Sequence, residues 1–289
     1  MICRLCPRDC GAARTVDGGN GFCAMPAGLR VSRAALHYWE EPPISGTNGS
    51  GAVFFAGCTL RCCYCQNHTI SVEGFGRDVT PQRLRAIFEE LIAQGAHNID
   101  LITATHFLPW ILPALEPKLP VPLVYNCGGY ERVDTLRQLE GLVDIWLPDL
   151  KYADGALAAE LSAAPDYFSV AADALLEMFR QTGPYVMENG LLRRGVVIRH
   201  LVLPGYLDNT RHVIDWVART FRPGDVLFSL MSQYTPQPGA QGRLARRLTR
   251  AEYRAAADYM HNCGITDGFT QERTAAREEY TPPFDLTGV

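Results

Sequence analysis

The chain has 289 residues, with 31 acidic and 27 basic side chains and a net charge of -4. This length suffices for one large domain, and no basic run typical of nucleic-acid or membrane-surface binding is present. No apolar segment reaches the roughly 18 to 20 residues that span a bilayer, and the first residues, MICRLCPRDC, lack the apolar core of a signal peptide. We therefore expect a cytoplasmic protein with neither a nucleic-acid nor a membrane partner.

Residues 1–48 are rich in Cys, Gly and Pro and show little periodicity, which predicts a Cys-rich N-terminal extension. Its four cysteines are spaced C-x2-C-x3-C-x12-C: Cys3, Cys6, Cys10 and Cys23. In a reducing compartment such a group indicates metal ligation rather than disulfides. The spacing predicts a four-cysteine metal centre that holds zinc, iron or an iron–sulfur cluster. The alternative is four free, buried thiols.

From about Gly51 onward, short apolar runs alternate with amphipathic segments, as in βα units that build a parallel sheet. The predicted strands are residues 52–57, 99–103, 122–126, 144–150, 196–203 and 226–231. The predicted helices lie near residues 80–95, 107–115, 132–139, 156–162, 165–181 and 209–221. Six such repeats predict an α/β fold, a partial (β/α)6 TIM-like barrel over residues 49–273, with a doubly wound sheet as the alternative. Residues 274–289 are predicted to form an irregular C-terminal tail, either disordered or packed beside the barrel mouth.

The strongest motif is FAGCTLRCCYCQN, in which Cys58, Cys62 and Cys65 make a C-x3-C-x2-C pattern directly after the first predicted strand. A [4Fe-4S] cluster takes four ligands, and this loop supplies three thiolates. One iron is then open to the amino and carboxylate groups of a small molecule. The alternatives are a structural zinc knuckle with His68 as the fourth ligand, and a simple electron-transfer cluster. Cys63 falls outside the spacing and is expected to be a non-ligand.

The motif, with the aromatic Tyr64 before its last cysteine, resembles the signature of radical S-adenosylmethionine (radical SAM) enzymes. The order of CRLCPRDC, HYWEEPPISG, GCTLRCCYCQN, HNIDLITATH, WLPDLKY and HLVLPGY resembles a branch of pyruvate formate-lyase-activating-protein homologues over nearly the whole chain. The resemblance implies two cofactors, a [4Fe-4S] cluster and S-adenosylmethionine (SAM). It implies that one electron, from a flavodoxin- or ferredoxin-type donor, cleaves SAM to methionine and a 5'-deoxyadenosyl radical, which abstracts a substrate hydrogen.

Polar residues end four of the predicted strands, where strands that served only the core would stay apolar. They are Thr103, Thr105, His106, Asn126, Asp149, Lys151 and Arg199. In the activase family a Gly-Gly-Glu stretch after the second strand holds the SAM amino group. Here residues 103–106 read Thr-Ala-Thr-His, which shifts that contact toward the threonine hydroxyls or a backbone carbonyl.

By the same resemblance, Asp149 and Lys151 are assigned to the ribose or carboxylate of SAM, and Arg199 to the carboxylate or the substrate. Together with Tyr64, Thr103, Thr105 and Asn126 they make up the predicted SAM pocket. The alternative for Asp149 and Lys151 is an internal ion pair, since residues i and i+2 of a strand share a face. The alternative for Arg199 is an ion pair with a carboxylate of a neighbouring strand.

Three classes of function follow from the sequence. The first is an activase that places a radical on a glycine of a partner enzyme. The second is a radical SAM enzyme that modifies a small molecule or a short peptide. The third is a non-enzymatic iron–sulfur or zinc protein.

Overall fold

The computed structural model describes residues 2–271 and 282–289. Its first residues form a small antiparallel sheet. The strands of this sheet are β1 (Ile2–Cys3), β2 (Ala12–Thr15) and β3 (Gly18–Gly19). Only glycine fits at the end of β3, because a Cβ atom on Gly19 would lie 2.4 Å from the carbonyl oxygen of Met25. The small sheet therefore packs closely against the segment that follows Cys23.

Ten further strands of the described residues form one larger sheet. In chain order they are β4 (Leu29–His37), β5 (Ser50–Phe55), β6 (Arg77–Val79), β7 (Ile99–Ile102), β8 (Leu123–Cys127), β9 (Ile145–Pro148), β10 (Val186–Glu188), β11 (Leu191–Leu201), β12 (Leu227–Met231) and β13 (Gly268–Thr270). Seven of them are parallel neighbours, in the order β5, β7, β8, β9, β11, β12, β13. The other three pair antiparallel: β4 with β5, β6 with β4, and β10 with β11. Because β6 and β13 are the two edges, the sheet is open and the fold is a partial barrel.

Helices follow most strands of the larger sheet, and those after β5, β7, β8, β9, β11 and β12 belong to βα units. They are α1 (Pro42–Ser45), α2 (His68–Ser71), α3 (Pro81–Ala93), α4 (Leu108–Ile111), α5 (Val133–Leu136), α6 (Gly155–Ser162), α7 (Tyr167–Thr182), α8 (Leu207–Thr220) and α9 (Arg250–Asn262). Short 3-10 turns lie at Thr105–Phe107, Leu112–Leu115, Arg137–Leu139 and Gly242–Ala245. Thr80 is the N-cap of α3, because its side chain accepts a hydrogen bond from the backbone N–H of Arg83 at 3.1 Å. Pro81 occupies the first turn of the helix.

The predicted fold class, an α/β partial barrel, is confirmed, and strands lie at all six predicted places. Four strands of the main sheet were not predicted, namely β4, β6, β10 and β13, and β6 and β10 have only three residues each. β13 has only three residues, two of them Gly and Thr. β4 lies in the segment predicted as an N-terminal extension, and an irregularity between Val31 and Arg33 interrupts its alternation. The predicted helix at 107–115 is divided into α4 and the 3-10 turn Leu112–Leu115, because Pro113 cannot donate a hydrogen bond that would continue α4.

The division of the chain at residues 48 and 273 stays a prediction. Of the predicted tail, residues 274–281 lie outside the described part. Residues 282–289 pack along β4, where the backbone N–H of Ala34 donates to the carbonyl of Thr287 at 2.8 Å and Arg33 pairs with Asp285 at 2.7 Å. β6 pairs only with residues 29–31 of β4. The described end of the chain therefore lies beside the residues of β4 that follow this short pairing.

The interior of the barrel is closed at one end by α1. Its Ile44 is fully buried and clusters with apolar side chains of four parallel strands, among them Leu192 at the start of β11. The strand residues of this cluster are Val124, Ile145, Leu147, Val197 and Leu227. This layer lies toward the amino ends of the parallel strands, which leaves the opposite end of the interior free to form a site.

Candidate active site

One cavity of about 620 Å³ occupies the interior of the partial barrel. It is bounded by the loops after β5, β8 and β9 and by inward-facing residues of β11 and β12. The predicted residues that line it are Cys58, Cys62, Tyr64, Cys65, Thr103, Asn126, Asp149, Lys151 and Arg199. Pockets of this size are typical of small-molecule and cofactor sites. The fold therefore brings nearly all of the predicted SAM pocket together with the three-cysteine loop.

The three-cysteine loop begins at Gly57, where φ is +76° and a Cβ atom would lie 2.4 Å from Cγ of Met25. Each of its motif thiols has a hydrogen-bond donor. The backbone N–H of Leu60 donates to Sγ of Cys58 at 3.3 Å. The hydroxyl of Ser162 donates to Sγ of Cys62 at 2.9 Å, and that of Ser71 to Sγ of Cys65 at 3.3 Å. Donors of this kind stabilise sulfur that carries negative charge, as metal-bound thiolates do.

Burial dominates the acid–base properties of these thiols. It raises the pKa of Cys58 to about 12 and also raises the pKa of Cys65, although the positive charge of Lys151 offsets part of the effect on Cys65. Without a metal these two thiols hold their protons at neutral pH, so metal binding has to release them. Cys63 is exposed and does not line the cavity, in keeping with the expectation that it is a non-ligand.

Within residues 2–271 and 282–289, no group of three or more His, Cys, Asp or Glu side chains is arranged to hold a metal ion. A [4Fe-4S] cluster makes a different demand, because each thiolate binds a separate iron and the sulfur atoms need not converge on one point. Three buried thiols with donors, beside a cavity, suit such a cluster.

Asp149, Lys151 and Arg199 form a charged network on the cavity wall. Nζ of Lys151 lies 2.5 Å from Oδ2 of Asp149, and Nε of Arg199 lies 3.1 Å from Oδ1 of the same carboxylate. Burial would raise the pKa of Asp149, but the two neighbouring cations outweigh it and the pKa is lowered. Both ion pairs that were the alternatives to ligand binding are thus present, and all three side chains also face the cavity.

The network continues into an acidic wall that the sequence analysis did not identify, made of Glu40, Glu41 and Asp100. Nη1 of Arg199 lies 3.1 Å from Oε2 of Glu40, and Nη2 of Arg199 donates to Oδ1 of Asn126 at 2.5 Å. Asp100 is fully buried and accepts a hydrogen bond from Nδ2 of Asn126 at 3.3 Å. Oε2 of Glu41 and Oδ1 of Asp100 are buried and have no hydrogen-bond partner.

The residues after β7 separate into two groups. Thr103 lines the cavity with a left-handed backbone, φ +61°. Thr105 points elsewhere, because its hydroxyl donates to Oε2 of Glu131 at 2.7 Å and lies 2.8 Å from the hydroxyl of Tyr125. Thr105 is therefore left out of the proposed SAM pocket. Burial raises the pKa of Glu131 to about 8, so this carboxyl is largely protonated at neutral pH.

Close backbone contacts fix the position of Asp149. A Cβ atom on Gly129, where φ is +76°, would lie 2.1 Å from the carbonyl oxygen of Asp149. The hydroxyl of Tyr167 donates to that same oxygen at 2.8 Å and accepts a hydrogen bond from the backbone N–H of Lys151 at 2.9 Å. On the other side, the hydroxyl of Tyr64 accepts from that of Tyr152 at 2.7 Å. The polar wall is thus held by buried tyrosines and by a glycine.

The N-terminal cysteines meet at a second, much smaller cavity of about 10 Å³. Its cysteines are Cys3, Cys6, Cys10 and Cys23. His106 also lines it, and Nδ1 of this histidine is buried without a hydrogen-bond partner while Nε2 lies 2.7 Å from the carbonyl oxygen of Ala56. Nε of Arg8 donates to the carbonyl of Thr59 at 2.8 Å, so this cavity adjoins the three-cysteine loop.

No family model matches the sequence. A protein of Methanocaldococcus jannaschii, described only as uncharacterized, is 26% identical over 270 residues, which cover 89% of this chain and 73% of that protein. Among the described residues no helix is long and apolar enough to cross a membrane.

Solved structures share the fold. SuiB of Streptococcus suis, bound to S-adenosylmethionine, matches with a TM-score of 0.51 and 14% identity, over 77% of this chain and 50% of SuiB. SuiB bound to its precursor peptide SuiA matches with a TM-score of 0.52 and 13% identity, over 75% and 47%. A cysteine-to-alanine mutant of spore photoproduct lyase matches with a TM-score of 0.50 and 14% identity, over 79% and 78%. The chain thus has the partial-barrel fold of these proteins and spans about half the length of SuiB.

Proposed function

We propose that the chain is a radical SAM enzyme. In this proposal Cys58, Cys62 and Cys65 hold a [4Fe-4S] cluster, and S-adenosylmethionine binds in the adjoining cavity. The observation that carries it is that the three motif thiols, two of them with hydroxyl donors, open onto a cavity of about 620 Å³ with polar walls. When bound and reduced, the cluster supplies one electron that breaks a sulfonium C–S bond of SAM, giving methionine and a 5'-deoxyadenosyl radical that abstracts a substrate hydrogen.

The chain's own residues have separate tasks in this proposal. Asp149 stays ionised beside two cations and can accept hydrogen bonds from ribose hydroxyls. Lys151 lines the cavity and provides a positive charge for a carboxylate. Tyr64 and Asn126 present a ring and an amide to the same space, and Thr103 adds a hydroxyl.

The direct test is 5'-deoxyadenosine formation from SAM by anaerobically reconstituted, dithionite-reduced protein. Cys58→Ala should abolish the product and lower the iron content, because the cluster loses one of three protein ligands. Cys63→Ala is the matched control from the same loop, and it should keep both iron and product. Equal loss in both variants would refute the assignment of the three cluster ligands. No product from the wild type would refute the proposal and leave a non-enzymatic iron–sulfur or zinc protein.

We further propose that the abstracted hydrogen belongs either to a glycine of a partner glycyl radical enzyme or to a small molecule or short peptide. The resemblance to pyruvate formate-lyase-activating-protein homologues supports the first. The fold shared with SuiB, solved with a precursor peptide, supports a peptide. Mixing the reduced enzyme and SAM with candidate glycyl radical enzymes separates them: a doublet radical signal in electron paramagnetic resonance supports the first, and its absence favours the second.

We also propose a second metal centre at the N-terminal cysteines, and a flavodoxin- or ferredoxin-type protein as electron donor. The common cavity of Cys3, Cys6, Cys10 and Cys23, with the unpartnered Nδ1 of His106, supports the metal centre. Metal analysis of a Cys6→Ala variant tests it, because the loss should add to that caused by Cys58→Ala. Replacing dithionite with reduced flavodoxin or ferredoxin in the SAM-cleavage assay tests the donor.

A further inference from the structure

The acidic wall of the cavity contains more carboxyl groups than the cationic side chains around it can pair. Asp149 is matched by two cations, because Lys151 and Arg199 both contact it. Arg199 is also the cation paired with Glu40. Glu41 and Asp100 interact with the charge of Arg199 as well, so three carboxyl groups beyond Asp149 share one guanidinium. His37 adds no cation at neutral pH, because burial lowers its pKa to about 4 although its Nε2 lies 4.0 Å from Oε1 of Glu40, so the wall has fewer cationic side chains than carboxyl groups.

Glu41 lines the cavity and also has a buried oxygen atom without a hydrogen-bond partner. Its exposure is 8%, and the atom without a partner is Oε2. A buried polar atom without a partner costs stability, and such atoms are rare in folded proteins. Burial also raises the pKa of Glu41 and of Asp100, which reflects the same lack of compensation. A cationic ligand beside the Glu41 carboxyl group would offset the cost of burying it.

We propose that the substrate presents a cationic nitrogen, an alkylammonium or guanidinium group, to Glu41 at the acidic wall. The inference rests on the proposed radical SAM function and names the substrate class of that same cavity. Trp39 and Phe269 also line the cavity, and their rings suit the apolar stem of such a group. A small amine and a lysine or arginine side chain of a peptide share this chemistry.

The acidic wall is separated from the place where SAM would bind. Glu40 and Glu41 follow β4, whose last residue, His37, pairs with Ser50 at the start of β5. The motif cysteines follow the other end of β5. Asp149 and Arg199 lie between the two groups, so a molecule held at the cysteines leaves the wall to a second ligand.

The test measures binding to the reconstituted holoenzyme with SAM present, by titration calorimetry. The probes are n-butylamine, 1-butanol and butyrate, and the blocked peptides Gly-Lys-Gly and Gly-norleucine-Gly. We expect n-butylamine or the lysine peptide to bind about tenfold or more tightly than its neutral counterpart, because a charged hydrogen bond forms with Glu41. Preference for the amine or for the peptide then distinguishes a small-molecule from a peptide substrate.

Variants keep the test specific. Glu41→Gln should remove the preference for the cation without weakening the binding of 1-butanol. Glu41→Asp should keep part of the preference for the cation. Glu188→Gln, an exposed site on β10, is the control and should bind as the wild type does. Circular dichroism of each variant checks folding, and Glu41→Asp carries the test if Glu41→Gln does not fold.

Equal binding of cation and alcohol, an unchanged preference in Glu41→Gln, or displacement of the amine by SAM would overturn the inference. The 5'-deoxyadenosine assay on the same samples keeps the two proposals apart. Product formed without cation preference refutes only the acidic-wall inference. Absence of product refutes the proposed function.

Discussion

Replacing Arg199 with methionine should destabilise the protein strongly and in a pH-dependent way. The guanidinium is 14% exposed and contacts Asp149, Glu40 and Asn126 at 3.1, 3.1 and 2.5 Å. Removing one partner of a buried ion pair costs about 3–5 kcal/mol, because the other charge is left uncompensated. Asp149 keeps Lys151, so we expect the lower end of that range, about 3 kcal/mol at pH 8.

The pH dependence follows from Glu40. Burial raises its pKa and the charge of Arg199 lowers it, so the variant raises it further. A carboxyl group whose folded pKa lies above its unfolded pKa contributes stability that is complete below the unfolded pKa and lost as pH rises through the folded one. The difference between Arg199→Met and the wild type should therefore be largest near pH 8 and shrink toward pH 5.

Urea unfolding of the apo-protein, followed by tryptophan fluorescence at several pH values, measures this difference. Arg30→Met is the matched control, since Arg30 pairs with Asp78 at 2.7 Å on a solvent-exposed side of the sheet. A surface pair contributes little, so the control should lose much less stability. Equal losses in the two variants, or a loss that does not change with pH, would refute the charge-balance reasoning.

Three further changes have clear expectations. Gly129→Ala should lower the melting temperature and weaken SAM binding, because its Cβ atom would lie 2.1 Å from a backbone carbonyl oxygen. Gly141→Ala is the control, because φ at Gly141 is +79° and nothing lies within 4 Å of the added Cβ atom. This control should lose only the backbone strain energy of about 1–2 kcal/mol. Ser162→Ala should retain iron and lower the reduction potential of the cluster in a redox titration, because Cys62 loses a 2.9 Å hydrogen bond to its sulfur. Burial raises the pKa of Glu131 to about 8, so the free energy of unfolding should fall as pH rises from about 4.5 to about 8. Glu131→Gln should make this pH dependence weaker. An unchanged pH dependence in the variant would contradict the raised pKa of this carboxyl group.

The sequence was sufficient for six of the seven parallel strands, because strands buried on both faces are apolar runs that helices separate. It was insufficient for β4 and β13. The residues of β4 include Ser32 and Arg33 at an irregular register, and β13 offers only Gly-Phe-Thr. In both cases the pairing is stabilised by partner strands that are distant in sequence. The strand propensity of the segment itself does not predict such pairing.

The candidate site shows the same division. Residues at strand ends, such as Asn126 and Asp149, were predictable because parallel strands bring their carboxyl ends to one side. Thr105 was assigned to the pocket because it closely follows the second predicted strand, but β7 ends at Ile102 and Thr105 begins a 3-10 turn in which its hydroxyl donates to Glu131. Asp100 was detectable in principle, as a single charge inside the apolar run of β7.

Glu40 and Glu41 were harder to recognise, since two acids before two prolines resemble an exposed turn. Their burial depends on the pairing of β4 with β5, which brings the Glu-Glu segment to the barrel interior. Long-range topology, rather than local pattern, places the acidic wall.

The ion pairs of the cavity wall argue for a ligand site rather than against one. A buried ion pair adds little stability compared with apolar residues of similar volume, so a core that served only folding would gain from replacing it. Here Asp149, Lys151 and Arg199 line an open space of about 620 Å³, and Glu41 leaves one oxygen atom unused there. Groups that are costly in an empty cavity become favourable when a charged ligand binds them. The free energy lost in the wall is therefore available for binding, and the excess of carboxyl groups over cationic side chains is the reason why we propose a cation as the ligand.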